Sequence, residues 1–524
     1  MTKNKLLRLA LLACSLAAGS AAFAATQLTD ANTLLLQILV KKGVLNQDEA
    51  DALVAQAQAA AAANAAAARA QAAAAPVATP APLPAGAVVK GSGNESPLYF
   101  KIGSTNFSPL GFMDFTTVYR STLNGGDIGS SFGSIPYSNT ANGQLSETRF
   151  SLKNSRLGLK VDSNLDDTKV LGYVETDFLG NAATNVNVAS NSDVLRMRVF
   201  FIDLRKGDWE FLAGQDWSML TPNRKGISPL PSDIFFTQDV DTNYQVGLVW
   251  GRTPQVRVVY HPSDEWALGL SAENPDQFVG SAVSLPSNLT ATDVDNGSNG
   301  TATPNMAPDF IGKIAYDTKF GNLPFHADLA GLVRFFKINT FATGATPVNA
   351  DATATGGGGS YNMMLSLAPN FQLIENAYVS QGGGRYISTG LAPDFIVTPA
   401  AAGGTDQIKT VYSYADMLGF EWDATKTSKF FGYYGQTHIG SKYANLGSTF
   451  YGYGYPGSAN TNNKLIEEYT LGLSQILWKN PSKGDLKFLT QVSYLDRAPW
   501  VVATGAPSKA HLGMVYADLR YDLP

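Results

Sequence analysis

At 524 residues, with 50 glycines and 11% aromatics, the chain has only 15% charged residues, against about 25% in an average soluble domain. Turn residues and rings with few charges suit strands that face lipid. The formal net charge of -5 excludes a strongly basic nucleic-acid binder and leaves open which ions a pore would prefer.

Lys3 and Lys5 open the chain, residues 6–18 form an apolar core, and Ala22-Phe23-Ala24 is a small-x-small cleavage site. This is the pattern of a secretory signal over residues 1–24. The sole cysteine, Cys14, lies within it, so the mature chain needs no disulfide chemistry. Residues 25–75 read as a short α-helical segment. Leu34, Leu35, Leu36, Ile38 and Leu39 make one apolar stripe ending near Gly43. Asn46 and Glu49 have capping-box spacing before a second, Ala-rich helix. So small a core is marginal alone. The segment is expected to serve in the periplasm for oligomerisation or anchoring, with peptidoglycan a candidate partner; the alternative is a plain spacer. Residues 76–98 turn to Pro, Ala and Gly, an extended linker. After the signal no apolar run reaches the roughly 18 residues of a spanning helix, so any membrane must be crossed by strands.

From 99 to 524 the pattern is all β. Leu157, Leu159 and Val161 alternate with Arg156, Gly158 and Lys160. Val170, Val174 and Phe178 alternate with Leu171, Tyr173, Glu175 and Asp177. Leu195, Met197, Val199 and Phe201 alternate with Arg196 and Arg198, and Trp209, Phe211 and Ala213 with Glu210, Leu212 and Gly214. Successive side chains of a strand point to opposite faces, so each segment has one apolar and one charged face. Further strands are expected at 112–119, 246–260, 266–273, 308–317, 325–338, 360–368, 371–381, 409–422, 428–438, 465–478, 485–496 and 511–523, which makes sixteen in all. Short turns at 162–168, 205–208, 261–265, 318–323, 369–370, 423–427 and 479–484 alternate with long Gly/Ser/Asn/Thr-rich loops at 120–147, 180–193, 218–243, 274–306, 339–358, 383–408, 439–464 and 497–510. Gly356 to Gly359 read as flexible loop; no P-loop Lys follows them. Short turns at one end and long loops at the other are the habit of outer-membrane barrels. The expected fold is an all-β membrane protein, a 16-stranded antiparallel transmembrane β-barrel in the bacterial outer membrane, with its N-terminal helical segment periplasmic. Tyr119, Phe178, Trp209, Trp217, Trp250, Tyr260, Trp266, Trp422 and Trp478 near strand ends are expected to form its interfacial girdles.

At Ser155-Arg156-Leu157-Gly158, Gly172-Tyr173-Val174-Glu175-Thr176-Asp177-Phe178, Leu195-Arg196-Met197-Arg198, Ala213-Gly214-Gln215-Asp216-Trp217-Ser218 and Pro254-Gln255-Val256-Arg257 the chain resembles the DcaP-like outer-membrane porins. The specific likeness covers roughly residues 150–275. It implies a trimer that passes small anions such as dicarboxylates, and a loop after the fifth strand that folds into the pore. Phosphate-selective porins share the strand style and are a close competitor.

In a barrel the polar parity faces the lumen. This places Arg156, Lys160, Glu175, Asp177, Arg196, Arg198, Arg257, Arg334, Lys487 and Arg520 inside. Arginine holds carboxylate or phosphate through paired hydrogen bonds at any ordinary pH, so these residues are candidates for an anion path. The other reading is that they pair with the acids and stiffen the wall. Arg224, Lys225, Asp233, Asp239 and Asp241 on the loop after the fifth strand are candidates for a constriction, and Pro222, Pro229 and Pro231 would stiffen it. The inward parity is mostly small or polar, which favours an open channel over a closed structural or adhesive barrel. His261, His326, His438 and His511 lack metal-ligand spacing and no Gly-x-Ser-x-Gly elbow occurs in the β region. The expectation is a porin for passive diffusion of small hydrophilic solutes, chiefly anions, without cofactor, metal or catalytic residues. Its partners would be outer-membrane lipid and two further copies. A general diffusion or phosphate-selective porin is the nearest alternative.

Overall fold

A computed structural model describes residues 97–124, 126–180, 194–295, 306–341, 349–387, 391–399 and 406–524. The expected signal, helical segment and nearly all of the linker lie outside these residues. The barrel strands are β1 (Thr105–Arg120), β2 (Glu147–Ser151 and Arg156–Leu165, one strand broken by a turn), β3 (Thr168–Gly180), β4 (Val194–Lys206), β5 (Trp209–Trp217), β6 (Arg252–Tyr260), β7 (Trp266–Glu273) and β8 (Asp309–Phe320). They continue as β9 (Leu323–Phe341), β10 (Asn349–Ala368), β11 (Phe371–Gln381), β12 (Tyr412–Asp423), β13 (Ser428–Ile439), β14 (Asn463–Asn480), β15 (Gly484–Pro499) and β16 (Ala510–Asp522). Each pairs antiparallel with its sequence neighbours, and β16 pairs with β1, from Phe112↔Asp522 to Arg120↔Met514. The sheet of sixteen strands therefore closes and has no free edge.

The outer face is apolar and unpacked. Met113, Leu157, Met197, Ile202, Phe211, Leu270, Leu329, Leu418 and Leu471 all stand exposed along it. Water would penalise so continuous an apolar band; lipid does not. At the end with short turns, Trp209 packs at a tilt against Tyr260 (ring centroids 4.7 Å), Trp266 against Tyr316 (4.5 Å) and Trp422 against Phe430 (5.7 Å). Among the described residues no helix is long and apolar enough to cross a membrane.

Four local expectations change. Val246 to Trp250 are not strand: β6 starts at Arg252, and these residues turn inward with the loop, where Val246 and Leu248 are buried. Trp217 and Trp250 are likewise internal, packing against each other at 5.8 Å, not in a girdle. In β4 the register slips between Glu175↔Val199 and Thr176↔Met197. This bulge leaves Arg198 unpaired and flips parity, so Leu195 and Met197 face out whereas Val199 and Phe201 face in. Finally, Gly356 to Gly359 lie within β10, not in a loop. A Cβ at Gly358 would sit 2.7 Å from the Val379 carbonyl oxygen, and one at Gly356 2.7 Å from the Phe336 ring. The glycines admit neighbouring groups into the wall.

Candidate functional site

The segment between β5 and β6 lies inside the barrel and is tied to successive strands. The Glu273 carboxylate (β7) accepts the Met219 amide at 2.9 Å. Lys313 (β8) donates to the Thr221 carbonyl and to Asn223 Oδ1 at 2.8 and 2.6 Å. Asp328 (β9) accepts the Asn223 amide at 3.0 Å, and Asn362 (β10) donates to the Asn223 carbonyl at 2.8 Å. Arg224 reaches Glu421 (β12) through two bonds of 2.7 and 3.1 Å. The Gln491 side-chain carbonyl (β15) accepts the Val240 amide at 2.7 Å, Glu468 (β14) the Val246 amide at 2.8 Å, and Tyr516 (β16) donates to Asp241 at 3.0 Å. Between these ties Ile227, Ile234, Phe235, Val240, Val246 and Leu248 are buried against Leu332, Ile374, Met417, Phe431 and Leu489. The inward parity is thus bulkier than the sequence suggested, and this loop occupies the side of the lumen bounded by β7–β16.

The opposite wall carries a chain of alternating charges. Arg196 grips Asp177 side-on at 2.7 and 3.0 Å. Arg198 joins Asp177 at 2.8 Å and also bonds Glu175, which lies 3.7 Å from Arg156. Across the closing seam Arg520 holds Asp114 at 2.6 Å and Asp518 at 3.1 Å. Pairing is therefore general, yet it is lopsided towards solvent. The Arg196 side chain is 38% exposed and its Asp177 partner 0%. Arg156 is 21% exposed against 8% for Glu175, and Arg520 19% against 0% for Asp114. In these three pairs the acid sits in the wall and the guanidinium reaches the solvent of the lumen, whereas Arg198, 5% exposed, is as withdrawn as the two acids it holds.

The other candidates divide. Lys160 pairs with Asp162 at 3.2 Å, both partly exposed, and Lys487 with Asp522 at 2.8 Å. Arg257 and Arg334 are buried, Arg257 beside Asp216 (3.2 Å) and Arg334 between Asp309 (3.0 Å) and Asp394 (2.8 Å). No solute can touch them in this arrangement, because the loop at 218–251 and residues 382–387 and 391–399 cover their strands. Of the loop residues, Asp233 is partly buried and uses its backbone to pair with Arg224 (2.7 Å), Lys225 is exposed, and Asp241 is buried. Asp239 accepts the Thr237 hydroxyl at 3.1 Å with one carboxylate oxygen while the other is buried with no partner among the described residues. Burial pushes its carboxyl up to about 8, the Thr237 bond pulls it down, and Asp241 and Glu421 push it up further.

Arg252 escaped the sequence reading. A strand over 246–260 gives it the parity of Trp250 and Val256, the lipid-facing set. Its signal was one arginine in an otherwise apolar row. In the structure its guanidinium stacks over the Trp217 ring at 5.3 Å, beside that of Arg198 at 5.7 Å.

Over 80% of its length the chain superposes on 98% of the outer membrane channel DcaP of Acinetobacter baumannii, at 18% identity and a TM-score of 0.58. The fold is that of an outer-membrane channel. An anion-selective porin from Comamonas acidovorans (12% identity, TM-score 0.44, 80% of this chain and 99% of that one) and OmpT of Vibrio cholerae (11%, 0.43, 80% and 98%) are more distant. Residues 29–94 match the family model described as "Putative porin"; they lie outside the described residues. No curated protein matches the chain.

Proposed function

We propose that this chain is an outer-membrane porin through which small hydrophilic solutes diffuse passively, with anions such as dicarboxylates preferred, and that it acts as a homotrimer without catalysis. Solutes pass between the loop at 218–251 and the wall of β1–β4 and β16. The observation that supports the anion preference is the lopsided exposure along that wall. Arg156, Arg196 and Arg520 meet the lumen, whereas Glu175, Asp177 and Asp114 are withdrawn. An ion in the lumen therefore meets cation first and carboxylate behind it, which draws anions in without holding them in one deep well. The long-loop end faces outside, and the helical segment at 25–75 stands in the periplasm. Liposome swelling tests this reading. Vesicles holding the protein should admit succinate faster than an uncharged solute of similar size, and that faster than a cationic one; the reverse order removes the anion preference.

The apolar packing inside the barrel favours one other reading, a closed barrel with a structural or adhesive task. Swelling no faster than in empty vesicles, from protein whose gel mobility is heat-modifiable, would establish it.

A further inference from the structure

At the long-loop end of β2–β6 a cavity of about 420 Å³ is bounded by Lys153, Arg196, Arg198 and Arg252, together with Asp127, Asn243, Tyr244 and Trp250. Three of its four cations are accounted for. Lys153 bonds Asp127, Arg196 is held by Asp177, and Arg198 by Asp177 and Glu175. Arg252 differs: its Nε and Nη1 are buried without any hydrogen-bond partner among the described residues, and so is the indole Nε1 of the neighbouring Trp250. A buried donor left without an acceptor is destabilising, the more so when it is charged. Three such donors, on two residues that border one cavity, mark a place for an acceptor that the described residues do not themselves provide.

We infer that this cavity is a binding site for a small oxyanion, a carboxylate or phosphate head group, with Arg252 and Trp250 as its donors and Lys153 and Arg196 supplying further positive charge. The inference rests on the anion-channel reading and adds a saturable stop at the outer mouth. Arg252 borders the cavity from the Trp217 side, its guanidinium 5.3 Å from that ring. A guanidinium suits both head groups because each offers oxygens spaced for its planar fork. The site lies where an entering solute first meets the wall of Arg196, Arg198 and Arg156, so capture there raises the local concentration of anions at the constriction.

The test is current blockade in a planar bilayer. Succinate and inorganic phosphate are titrated separately from the long-loop side, and the reversal potential is read in the same recording. The wild type should show saturable block, and the anion that blocks at lower concentration names the preferred head group. Arg252→Gln should raise the half-blocking concentration roughly tenfold or more, the loss of one charged hydrogen bond. Trp250→Phe, which removes a single neutral donor, should raise it about threefold. It also decides the matter if Arg252→Gln fails to give heat-modifiable protein. An anion-selective channel whose block is absent, or unchanged in both variants, overturns the site and leaves the porin reading standing. A cation-selective wild type overturns the reading on which the site rests.

Discussion

Among the described residues the tie between Arg224 and Glu421 is the loop's only direct charge pair to the far wall, it can be cut from either side, and the two cuts should differ. Glu421 is 1% exposed and Arg224 22%. Arg224 also donates to the Phe236 carbonyl at 3.0 Å and stacks over Phe235 at 4.9 Å. Removing one member of a buried pair costs about 3–5 kcal/mol when the other is left without a partner. Arg224→Ala strands Glu421 in the interior, where only the Tyr433 hydroxyl (3.0 Å) and Lys429 (3.5 Å) remain. These lower the cost to about 2–3 kcal/mol. Glu421→Ala leaves an arginine that can turn to lumen water, so about 1–2 kcal/mol is expected. A loss of 2–3 kcal/mol shifts the balance between seated and released loop by roughly 30- to 150-fold. Single-channel recording reads this as more frequent excursions to higher conductance, and the double variant as an apparent coupling above about 1 kcal/mol. Equal effects of the two single variants, or a larger one from Glu421→Ala, would refute the reasoning from burial.

Asp239 sets a pH dependence. Its folded carboxyl keeps a proton up to about pH 8, whereas an exposed one releases it near 3.8. The seated loop thus binds more protons across that window and is progressively less favoured as pH rises through it. Open-channel noise should grow between pH 5 and pH 8, and Asp239→Asn should abolish that growth. Arg334→Met should lower folding yield and thermal stability sharply, by about 3–5 kcal/mol, since Asp309 and Asp394 lose their shared cation. Folded channels should keep their reversal potential; a shift would mean that this arginine does reach solutes. Gly358→Val should cost at least about 1–3 kcal/mol from the backbone clash and lower the temperature of the heat-modifiable transition. Gly331→Ala, with open space around its Cβ, should leave that temperature unchanged.

Strand number and loop alternation were legible because each barrel strand is half in lipid, and lipid enforces the apolar alternation along its length. Legibility failed where another surface takes lipid's place. Val246 to Trp250 alternate like a strand, yet inside the barrel Val246 packs in the cluster of Ile466 and Leu489 and Leu248 in that of Met417. Parity cannot tell a lipid-facing row from a lumen-packed one. The β4 bulge at Arg198 is invisible for a related reason, since Met197 and Val199 are both apolar and one extra residue swaps their faces unannounced. Glycines 356–359 look like loop because the composition of turns and that of closely approached strands coincide. Among the site residues, the sequence gathers the arginines but cannot say which are withdrawn. Arg334 and Arg196 have the same parity and differ only in what the loops cover.

The central claim is that lumen solvent meets guanidinium groups while their carboxylates stay in the wall. Single-channel reversal potential under a potassium chloride gradient tests it most directly. The account predicts a potential displaced towards that of chloride, with conductance steps in groups of three from the proposed trimer. A potential displaced towards that of potassium would contradict it, because the withdrawn acids would then be setting the field that ions feel.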